Sequence, residues 1–218
     1  MATLAQLIAE TYRLRLLRGL DDLLEMCGLS LLAGVDEVGR GSLAGPVVAA
    51  AVIVDPHCLL PGVDDSKTLS APQREELAAA IRATAKATAV AAIPAKTIDR
   101  VNILEATRMA MRKALADLHP KPDAALIDAV ALDGLSFPCL PLVRGDAISY
   151  SVACASILAK VERDRMMLEL DREFPYYGWA QNKGYGAPLH LAALAELGPT
   201  PVHRLTFRAV VPRRREGD

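Results

Sequence analysis

The sequence is poor in aromatic residues, and its charges nearly cancel. Three phenylalanines and one tryptophan occur among 218 residues, of which 52% are hydrophobic, so we expect a core of aliphatic side chains. A net charge of −1 does not by itself indicate a protein that binds nucleic acid. The longest apolar run, over residues 43–54, is too short to cross a bilayer, which predicts no membrane-spanning segment.

Cysteines are few as well. They form no C-x-x-C pair and show no spacing typical of a metal-binding finger; they are Cys27, Cys58, Cys139 and Cys154. The sequence also shows no signal-peptide pattern, and both observations predict a reduced, cytoplasmic protein. The length permits one large domain, or a main domain with a small appendage.

Residues 33–54 combine two apolar runs with a loop that contains charges and glycines. The runs predict two buried strands joined by a tight turn. Asp36 and Glu37 lie at the end of the first strand, where two adjacent acids repel each other and lose hydration. Such pairs are most often solvated at a turn, whereas the alternative is a divalent cation held by hard oxygen ligands. The following Gly39, Arg40 and Gly41 favour the alternative, because glycine lets the main chain approach a ligand beside a cation.

The same loop has the outer frame of a phosphate-binding P-loop, since Gly34 and Gly39 are five residues apart. That motif continues with Lys and then Ser or Thr, where this sequence has Arg40 and Gly41. Two acids inside the loop would also repel a triphosphate. We therefore reject the P-loop interpretation.

Two more acids follow apolar runs later in the chain. Asp128 closes the run AALID, and Asp146 follows the run CLPLV. A single acid at a strand end is most often a turn former or a helix cap, and Asp146 in particular is placed to cap the next helix. Strand ends from separate parts of a chain can nevertheless meet at one edge of a sheet. Together with Asp36 and Glu37, these acids predict a metal site.

The remaining pattern predicts alternating helices and strands. Residues 1–30 read as one or two amphipathic helices with a packing face of Leu16, Leu17, Leu20, Leu23 and Leu24. Further helices are expected over residues 70–89, from 102 to Pro120, and over 149–174. Capping boxes are predicted for Ser70 with Gln73 and for Asn102 with Glu105. Strands are expected over 87–93, 124–128 and 139–143, which together with the first two predict a mixed sheet.

Several of these segments resemble the type 2 ribonucleases H, the ribonuclease HII family. The motifs are GVDEVGRGSLAGPVVAAAVI, DDSKTLS, NILEATRMAM, LIDA, GDAISYSVACASILAKVERD and GWAQNKGYGAPLH, in this order. They cover the chain from about residue 33 to 207. The resemblance implies an α/β fold with a ribonuclease H-like mixed sheet flanked by helices and a small helical C-terminal region. We expect an N-terminal helical extension over residues 1–30, a catalytic domain over 31–174 and a substrate-binding region over 175–218.

The resemblance also implies a function. It indicates a metal-dependent endonuclease, using Mg²⁺ or Mn²⁺ and two ions when substrate is bound, which cuts the RNA strand of RNA–DNA hybrids and cuts 5′ of ribonucleotides embedded in duplex DNA. The products would carry 3′-hydroxyl and 5′-phosphate ends. We expect a monomer without a membrane partner. The acids that match the family's metal ligands are Asp36, Glu37, Asp128 and Asp146.

Other positions match the family's substrate contacts. Gly39, Arg40 and Gly41 match the motif whose backbone meets the 2′-hydroxyl that separates RNA from DNA. Tyr185 matches the tyrosine that packs on the neighbouring deoxyribose, although a half-buried aromatic is the ordinary interpretation. Candidate phosphate contacts are Lys67, Lys160 and Lys183, for which solvated surface lysines are the default.

Adjacent acids on a strand raise a geometric problem, because neighbouring side chains point to opposite faces. We expect Asp36 to be the direct ligand, and Glu37 to reach round, to bind through water or to offer its backbone carbonyl. The sequence also departs from the family pattern at three positions. Ser42 replaces a proline and is expected to loosen the loop, Ile148 replaces a basic residue, and Asn182 replaces a histidine.

Two other functions fit the pattern less well. One is another two-metal nuclease or strand-transfer enzyme of the same fold that acts on DNA. A DNA enzyme has no 2′-hydroxyl to sense, so the glycine-flanked Arg40 and Tyr185 count against it. The other is an inactive module that binds hybrids, against which the intact acids argue.

Overall fold

The computed structural model describes residues 3–210. Arg213 to Arg215, which make the chain end basic, lie outside this range. The helices are α1 (Leu4–Met26), α2 (Ala71–Thr84), α3 (Ala95–Val101), α4 (Ile103–Asp117), α5 (Tyr150–Glu173), α6 (Trp179–Asn182) and α7 (Pro188–Leu197). The strands are β1 (Leu32–Val38), β2 (Val47–Ile53), β3 (Ala87–Ile93), β4 (Ala124–Asp128) and β5 (Cys139–Leu142).

The five strands form one mixed sheet in the order β3-β2-β1-β4-β5. The three strands β1, β2 and β3 pair antiparallel, whereas β4 pairs parallel with both β1 and β5. Parallel pairing requires a crossover connection, and α3 with α4 supplies it between β3 and β4. The predicted mixed sheet flanked by helices is therefore confirmed.

The sheet is covered on both faces, which explains why every residue of β2 is buried. One face packs against α4 through small side chains such as Ala110 and Ala114. The other face packs against α5 and α2, again through alanines, including Ala153 and Ala155. Alanine on both sides of the contact lets the helices approach the sheet closely.

The closest approach is between β1 and the start of α5. A Cβ atom added to Gly34 would lie 2.1 Å from the carbonyl carbon of Ser151. The same end of α5 is capped from α1, because the buried carboxylate of Asp21 accepts the backbone N–H groups of Tyr150 (3.1 Å) and Ser151 (3.0 Å). Ser149 adds a further cap by accepting from the N–H of Val152.

The N-terminal segment forms one continuous helix, and the prediction of its packing face was partly wrong. Leu17 is buried, and Leu20 and Leu24 pack against the core, but Leu16 and Leu23 are 63% and 62% exposed. The inner face instead includes polar side chains, among them Asp21, which is held by the N-terminus of α5.

Two other predictions need correction. Helix α2 ends at Thr84 rather than 89, because the N–H of Lys86 donates to the carbonyl of Ile53 and the chain enters β3. The capping box at Ser70 is confirmed, but that at Asn102 is only half formed. Its side chain accepts the N–H of Glu105, while its own N–H donates to Ile98 at the end of α3.

The chain after α5 folds back onto that helix and onto the loop between β1 and β2. Its core is aromatic, with the fully buried Trp179 stacked on Tyr177, and it includes Met167 of α5 and Ala44 of the loop. An isolated β-bridge joins Ala44 to His203. Among residues 3–210, no helix is both long and apolar enough to cross a membrane. The division of the chain at residues 30 and 174 remains a prediction.

Replacing Gly34 with alanine tests the contact between β1 and α5. The added methyl group would meet backbone atoms, which cannot rotate away, so we expect a loss of about 3 kcal/mol or more in the free energy of unfolding. Gly19→Ala in α1 is the matched control, because its Cβ would have no neighbour within 4 Å and alanine favours helix by about 1 kcal/mol. Urea unfolding of both variants measures the difference. Equal stability of Gly34→Ala and the parent protein would contradict the contact.

Candidate active site

Three of the four predicted acids lie together at one edge of the sheet. Asp36, Glu37 and Asp128 each place a carboxylate oxygen within 4.8 Å of the others. The sheet causes this arrangement, because β1 and β4 are parallel neighbours with Val35 opposite Ile127. Asp36 and Asp128 follow these two residues directly and therefore lie at the same level, where the pairing of β1 with β4 ends.

The cluster is unfavourable without a cation. Burial raises the pKa of Asp36 well above its usual range, and the charges of Glu37 and Asp128 raise it further. Burial also raises the pKa of Glu37, although Arg40 opposes this effect. Among the described residues, Oε2 of Glu37 is buried without a hydrogen-bond partner, whereas Oε1 lies 3.2 Å from Nη1 of Arg40. Closely spaced hard oxygens with one unpaired atom fit a divalent cation such as Mg²⁺ or Mn²⁺.

The side chain of Glu37 reaches round to the same site as Asp36. A carboxylate oxygen of Glu37 joins the cluster, which is the geometry that the first of the three expected routes requires. The longer side chain of glutamate offsets the alternation of a strand. The backbone of β1 further fixes the side chain of Asp36, since its Oδ1 accepts the N–H of Glu37 at 2.7 Å.

Asp146 lies beside the cluster rather than within it. It belongs to a short 3₁₀ turn, Gly145–Ala147, which is tied to β4 because Oδ1 of Asp128 accepts the N–H of Gly145 at 2.6 Å. Burial raises the pKa of Asp146, and so do the charges of Asp65 and Asp128. Its Oδ2 lies 3.5 Å from Nζ of Lys67.

The alternative role of Asp146, a helix cap, is wrong. The first N–H groups of α5 are accepted by Asp21 and Ser149 instead. A carboxylate that is near other acids and serves no cap is available to a cation.

Asp36 and Glu37 open onto a cleft of about 330 Å³. Predicted substrate contacts on its lining are Lys67, Lys160 and Tyr185, whose side chain is partly exposed. Nζ of Lys160 also pairs with Asp164 at 2.7 Å. The structure does not bring Lys183 into this cleft, because its ammonium donates to the carbonyl of Ala180 in α6. Cleft residues that sequence analysis missed are Ser66, Arg74 and Ser156.

Two buried arginines, to which the sequence analysis assigned no chemistry, organise the loops around the cleft. Arg163 of α5 donates from Nε to the carbonyl of Pro46 at 3.0 Å and from Nη1 to that of Lys183 at 2.9 Å. Its guanidinium lies 5.7 Å from the ring centroid of Tyr185. Arg163 therefore connects the loop after β1 with the loop that carries Tyr185.

Arg204 fixes the loop after β1 from the C-terminal side. Its guanidinium donates to the carbonyl of Gly45 and, at 2.9 Å, to that of Arg40. In the described chain its partners, and those of Arg163, are carbonyl oxygens and one hydroxyl rather than carboxylates. A sequence signal existed for Arg163, which lies four residues from both Ala159 and Met167 and so on the inner face of α5.

Of the two glycines beside Arg40, only the first is required by these contacts. Gly39 has a φ of +92°, and a Cβ there would lie 2.1 Å from Nε of Arg163. A Cβ on Gly41 would meet only the ring of Tyr185, at 3.8 Å. The two predicted sensors of the sugar, the Gly-Arg-Gly backbone and the tyrosine ring, are thus neighbours.

The departures from the family pattern have structural consequences. Ser42, expected to loosen the loop, is fully buried, and its hydroxyl accepts from Nη2 of Arg163 at 2.8 Å. Serine therefore ties the loop by a bond that proline cannot make. Asn182 accepts the N–H of Gly184 and donates to the carbonyl of Tyr177, so that it shapes the turn before Tyr185. Ile148 is exposed beside the turn of Asp146.

Comparison with known proteins identifies the family. A sequence model of ribonuclease HII matches residues 33–210. The chain belongs to the ribonuclease HII family. A ribonuclease HII of Geobacter metallireducens is 54% identical over 190 residues, which cover 87% of this chain and 89% of the relative.

Solved ribonucleases H share the fold. The ribonuclease H2 of Pyrococcus horikoshii matches with a TM-score of 0.73 and 28% identity, over 82% of this chain and 94% of that one. A complex of Bst-RNase HIII with Mn²⁺ matches with a TM-score of 0.64 and 26% identity, over 83% of this chain and 68% of that one. Membership of the ribonuclease HII family implies a metal-dependent nuclease that cleaves RNA within RNA–DNA hybrids.

Replacing Asp36 with asparagine tests the acidic cluster without an activity assay. Removing one charge relieves repulsion, so we expect the metal-free variant to be more stable than the parent by at least about 1 kcal/mol, or about 2–4 °C in melting temperature. Because a raised carboxyl pKa destabilises the fold as pH rises, this gain should shrink at lower pH.

The same variant should lose the stabilisation that Mn²⁺ gives the parent protein. A ligand at a hundred times its Kd contributes about 2.7 kcal/mol. Asp117→Asn is the matched control, because Asp117 pairs with Lys113 on the exposed side of α4. Thermal melts with and without Mn²⁺ make the comparison. A full Mn²⁺ shift in Asp36→Asn would contradict the metal site.

Proposed function

We propose that this protein uses two divalent ions, Mg²⁺ or Mn²⁺, to hydrolyse the RNA strand of RNA–DNA hybrids and to cut duplex DNA 5′ of an embedded ribonucleotide. The products carry 3′-hydroxyl and 5′-phosphate ends. One observation supports this proposal above the others: Asp36 and Glu37 of the acidic cluster line the same cleft as the ring of Tyr185, and Gly41 lies beside that ring. Chemistry and recognition of a ribose are thereby assigned to adjacent groups.

The acids hold the ions. Asp36, Glu37 and Asp128 share one site, and the unpaired Oε2 of Glu37 is the atom that gains most from a cation. Asp146 lies next to Asp128 and would help to hold the second ion. Its carboxylate would then give up its contact with Nζ of Lys67. Four carboxylates balance the charge of two divalent ions. When bound, such ions activate water and stabilise the leaving oxygen of a phosphodiester.

Recognition falls to the main chain and to Tyr185. At Gly41 the absence of a side chain leaves an exposed backbone open to a 2′-hydroxyl, whereas Gly39 is buried against Arg163 and shapes the loop. Arg204 and Arg163 hold the loop rigidly, because they bind the carbonyl of Arg40 within it and that of Pro46 after it. The ring of Tyr185 is 41% exposed and presents a flat apolar surface to a deoxyribose.

Phosphate contacts are assigned to the basic side chains on the cleft. Lys67 and Lys160 already line it, and Arg40 is close to Glu37 at its rim. Lys183 would have to leave the carbonyl of Ala180 to take part, so its role is the weakest of the set. A nuclease that acts only on DNA would gain nothing from an open glycine loop beside a tyrosine.

The decisive test is a cleavage map. Incubation with Mg²⁺ or Mn²⁺ and a DNA duplex that contains one ribonucleotide should give a single cut on the 5′ side of that ribonucleotide. The all-DNA duplex of the same sequence is the substrate control and should stay intact. Asp36→Asn and Asp128→Asn should reduce cleavage at least a thousandfold while binding to the duplex persists, because asparagine keeps the shape and removes the charge. Cutting of the all-DNA duplex would favour a DNA nuclease instead.

Tyr185 separates specificity from chemistry. Stacking on an aromatic ring is worth about 1–3 kcal/mol, so Tyr185→Ala should lower kcat/KM on the single-ribonucleotide duplex about ten- to a hundredfold. Tyr185→Phe keeps the ring and should lose much less. A long RNA strand has no deoxyribose beyond the cut, so cleavage of an RNA–DNA hybrid should suffer less from either change. Equal losses on both substrates would mean that Tyr185 does not sense the junction.

A further inference from the structure

Two buried histidines connect the C-terminal turn to the residue proposed to sense the junction. Nδ1 of His203 lies 2.9 Å from the N–H of Thr200, and Nε2 of His203 lies 3.0 Å from Nε2 of His190. Nδ1 of His190 lies 2.8 Å from the carbonyl oxygen of Tyr185. We call His190 and His203 the histidine pair.

The fixed neighbours determine where each proton lies. His203 accepts the N–H of Thr200 at Nδ1 and therefore carries its proton on Nε2, from which it donates to His190. The carbonyl of Tyr185 only accepts, so His190 carries its proton on Nδ1. Its Nε2 accepts from both His203 and Nε1–H of Trp179. Both rings are neutral, and each of their four nitrogens makes a hydrogen bond.

The surroundings of the histidine pair support neutral rings. Burial lowers the pKa of both histidines, and the pKa of His203 falls to about 4. Tyr177 and Trp179 contact both rings from the segment before α7. An apolar core would fill this space with less desolvation, so directed hydrogen bonds are what the histidines add.

The loop that carries Tyr185 is held by hydrogen bonds rather than by its backbone preferences. Glycines flank Tyr185 on both sides, and Gly184 has a φ of +82°. The N–H of Tyr185 donates to the carbonyl of Asn182, and the carbonyl of Gly184 accepts from the N–H of Leu43. The carbonyl of Tyr185 accepts two bonds, from Nδ1–H of His190 and from the N–H of Ala187 at 2.8 Å. The bond from His190 orients the peptide that follows Tyr185 and through it constrains the position of the exposed ring.

We propose that the histidine pair positions Tyr185, so that His190 and His203 determine how strongly the enzyme prefers a ribonucleotide–DNA junction over a continuous RNA strand. They touch neither the substrate nor the acids, and they act through the backbone of Tyr185. This inference rests on the proposed role of Tyr185 at the junction. It predicts an effect on the ratio of two activities rather than on activity as such.

The test measures kcat/KM on the single-ribonucleotide duplex and on an RNA–DNA hybrid, and compares the ratio between variants. His190→Leu keeps the volume, removes the donor to Tyr185 and leaves the donors of His203 and Trp179 without an acceptor. A general loss of stability lowers both activities, so the ratio should fall about three- to tenfold, the effect of the one hydrogen bond to Tyr185. His190→Asn places an amide N–H near the position of Nδ1–H and should restore the ratio to within about twofold. In a Tyr185→Ala background, His190→Leu should change the ratio no further, because coupled residues are not additive.

His203→Asn is a milder second variant. It keeps an acceptor for Thr200 and removes only the bond to His190, so it should lower the ratio about two- to threefold even if His190→Leu does not fold. Nitrogen NMR of the histidines at neutral pH provides a readout without substrate. We expect an Nδ1–H tautomer for His190 and an Nε2–H tautomer for His203.

The outcomes separate this inference from the proposed function. If Tyr185→Ala lowers the ratio but the histidine variants lower both activities equally, the histidine pair only supports the fold and the inference is wrong. If Tyr185→Ala itself leaves the ratio unchanged, the junction role of Tyr185 fails first. The opposite tautomers, or an unchanged ratio in both His190→Leu and His203→Asn, would also overturn the inference.

Discussion

Repulsion between Asp36, Glu37 and Asp128 is the interaction that the rest of the structure must withstand. Burial strengthens it, since the pKa of Asp36 is raised by lost hydration as well as by its neighbours. The acids stay together because the backbone of β1 and β4 fixes their positions. Their strands are hydrogen-bonded neighbours, and β1 is held against α5 where only Gly34 fits. Stability gained from aliphatic burial elsewhere therefore maintains a site that only a cation makes favourable.

The loops proposed to recognise the substrate depend on two buried positive charges. Arg163 and Arg204 are buried, and burial lowers the pKa of both, to about 9 for Arg204. Carbonyl oxygens rather than carboxylates satisfy them, so the backbone of three separate segments converges on two guanidinium groups. The glycine loop and the tyrosine loop are rigid for this reason. Both positive charges also remain near a cleft that receives a polyanion.

The N-terminal helix takes part in the same construction. Asp21 caps α5 directly after the turn that carries Asp146, so α1 stabilises the helix against which the catalytic strand packs. A cap of this kind contributes about 1 kcal/mol in other proteins. The helix therefore supports the site although it contributes no residue to the cleft.

The sequence alone determined the acids, the glycine loop and the mixed sheet, because a metal site needs carboxylates at strand ends and apolar runs of strand length mark a covered sheet. It also determined most element boundaries, through caps and prolines. Only the tertiary structure decided three positions. The carboxylate of Glu37 lies beside that of Asp36, Asp146 lies outside this cluster, and the ammonium of Lys183 binds the carbonyl of Ala180. The position of a side chain depends on neighbours from other segments. For the same reason the sequence assigned no chemistry to Arg163, to Arg204 or to the histidine pair. Their partners are backbone carbonyls and one another, and no residue type in a sequence reports which carbonyl oxygen lies beside it.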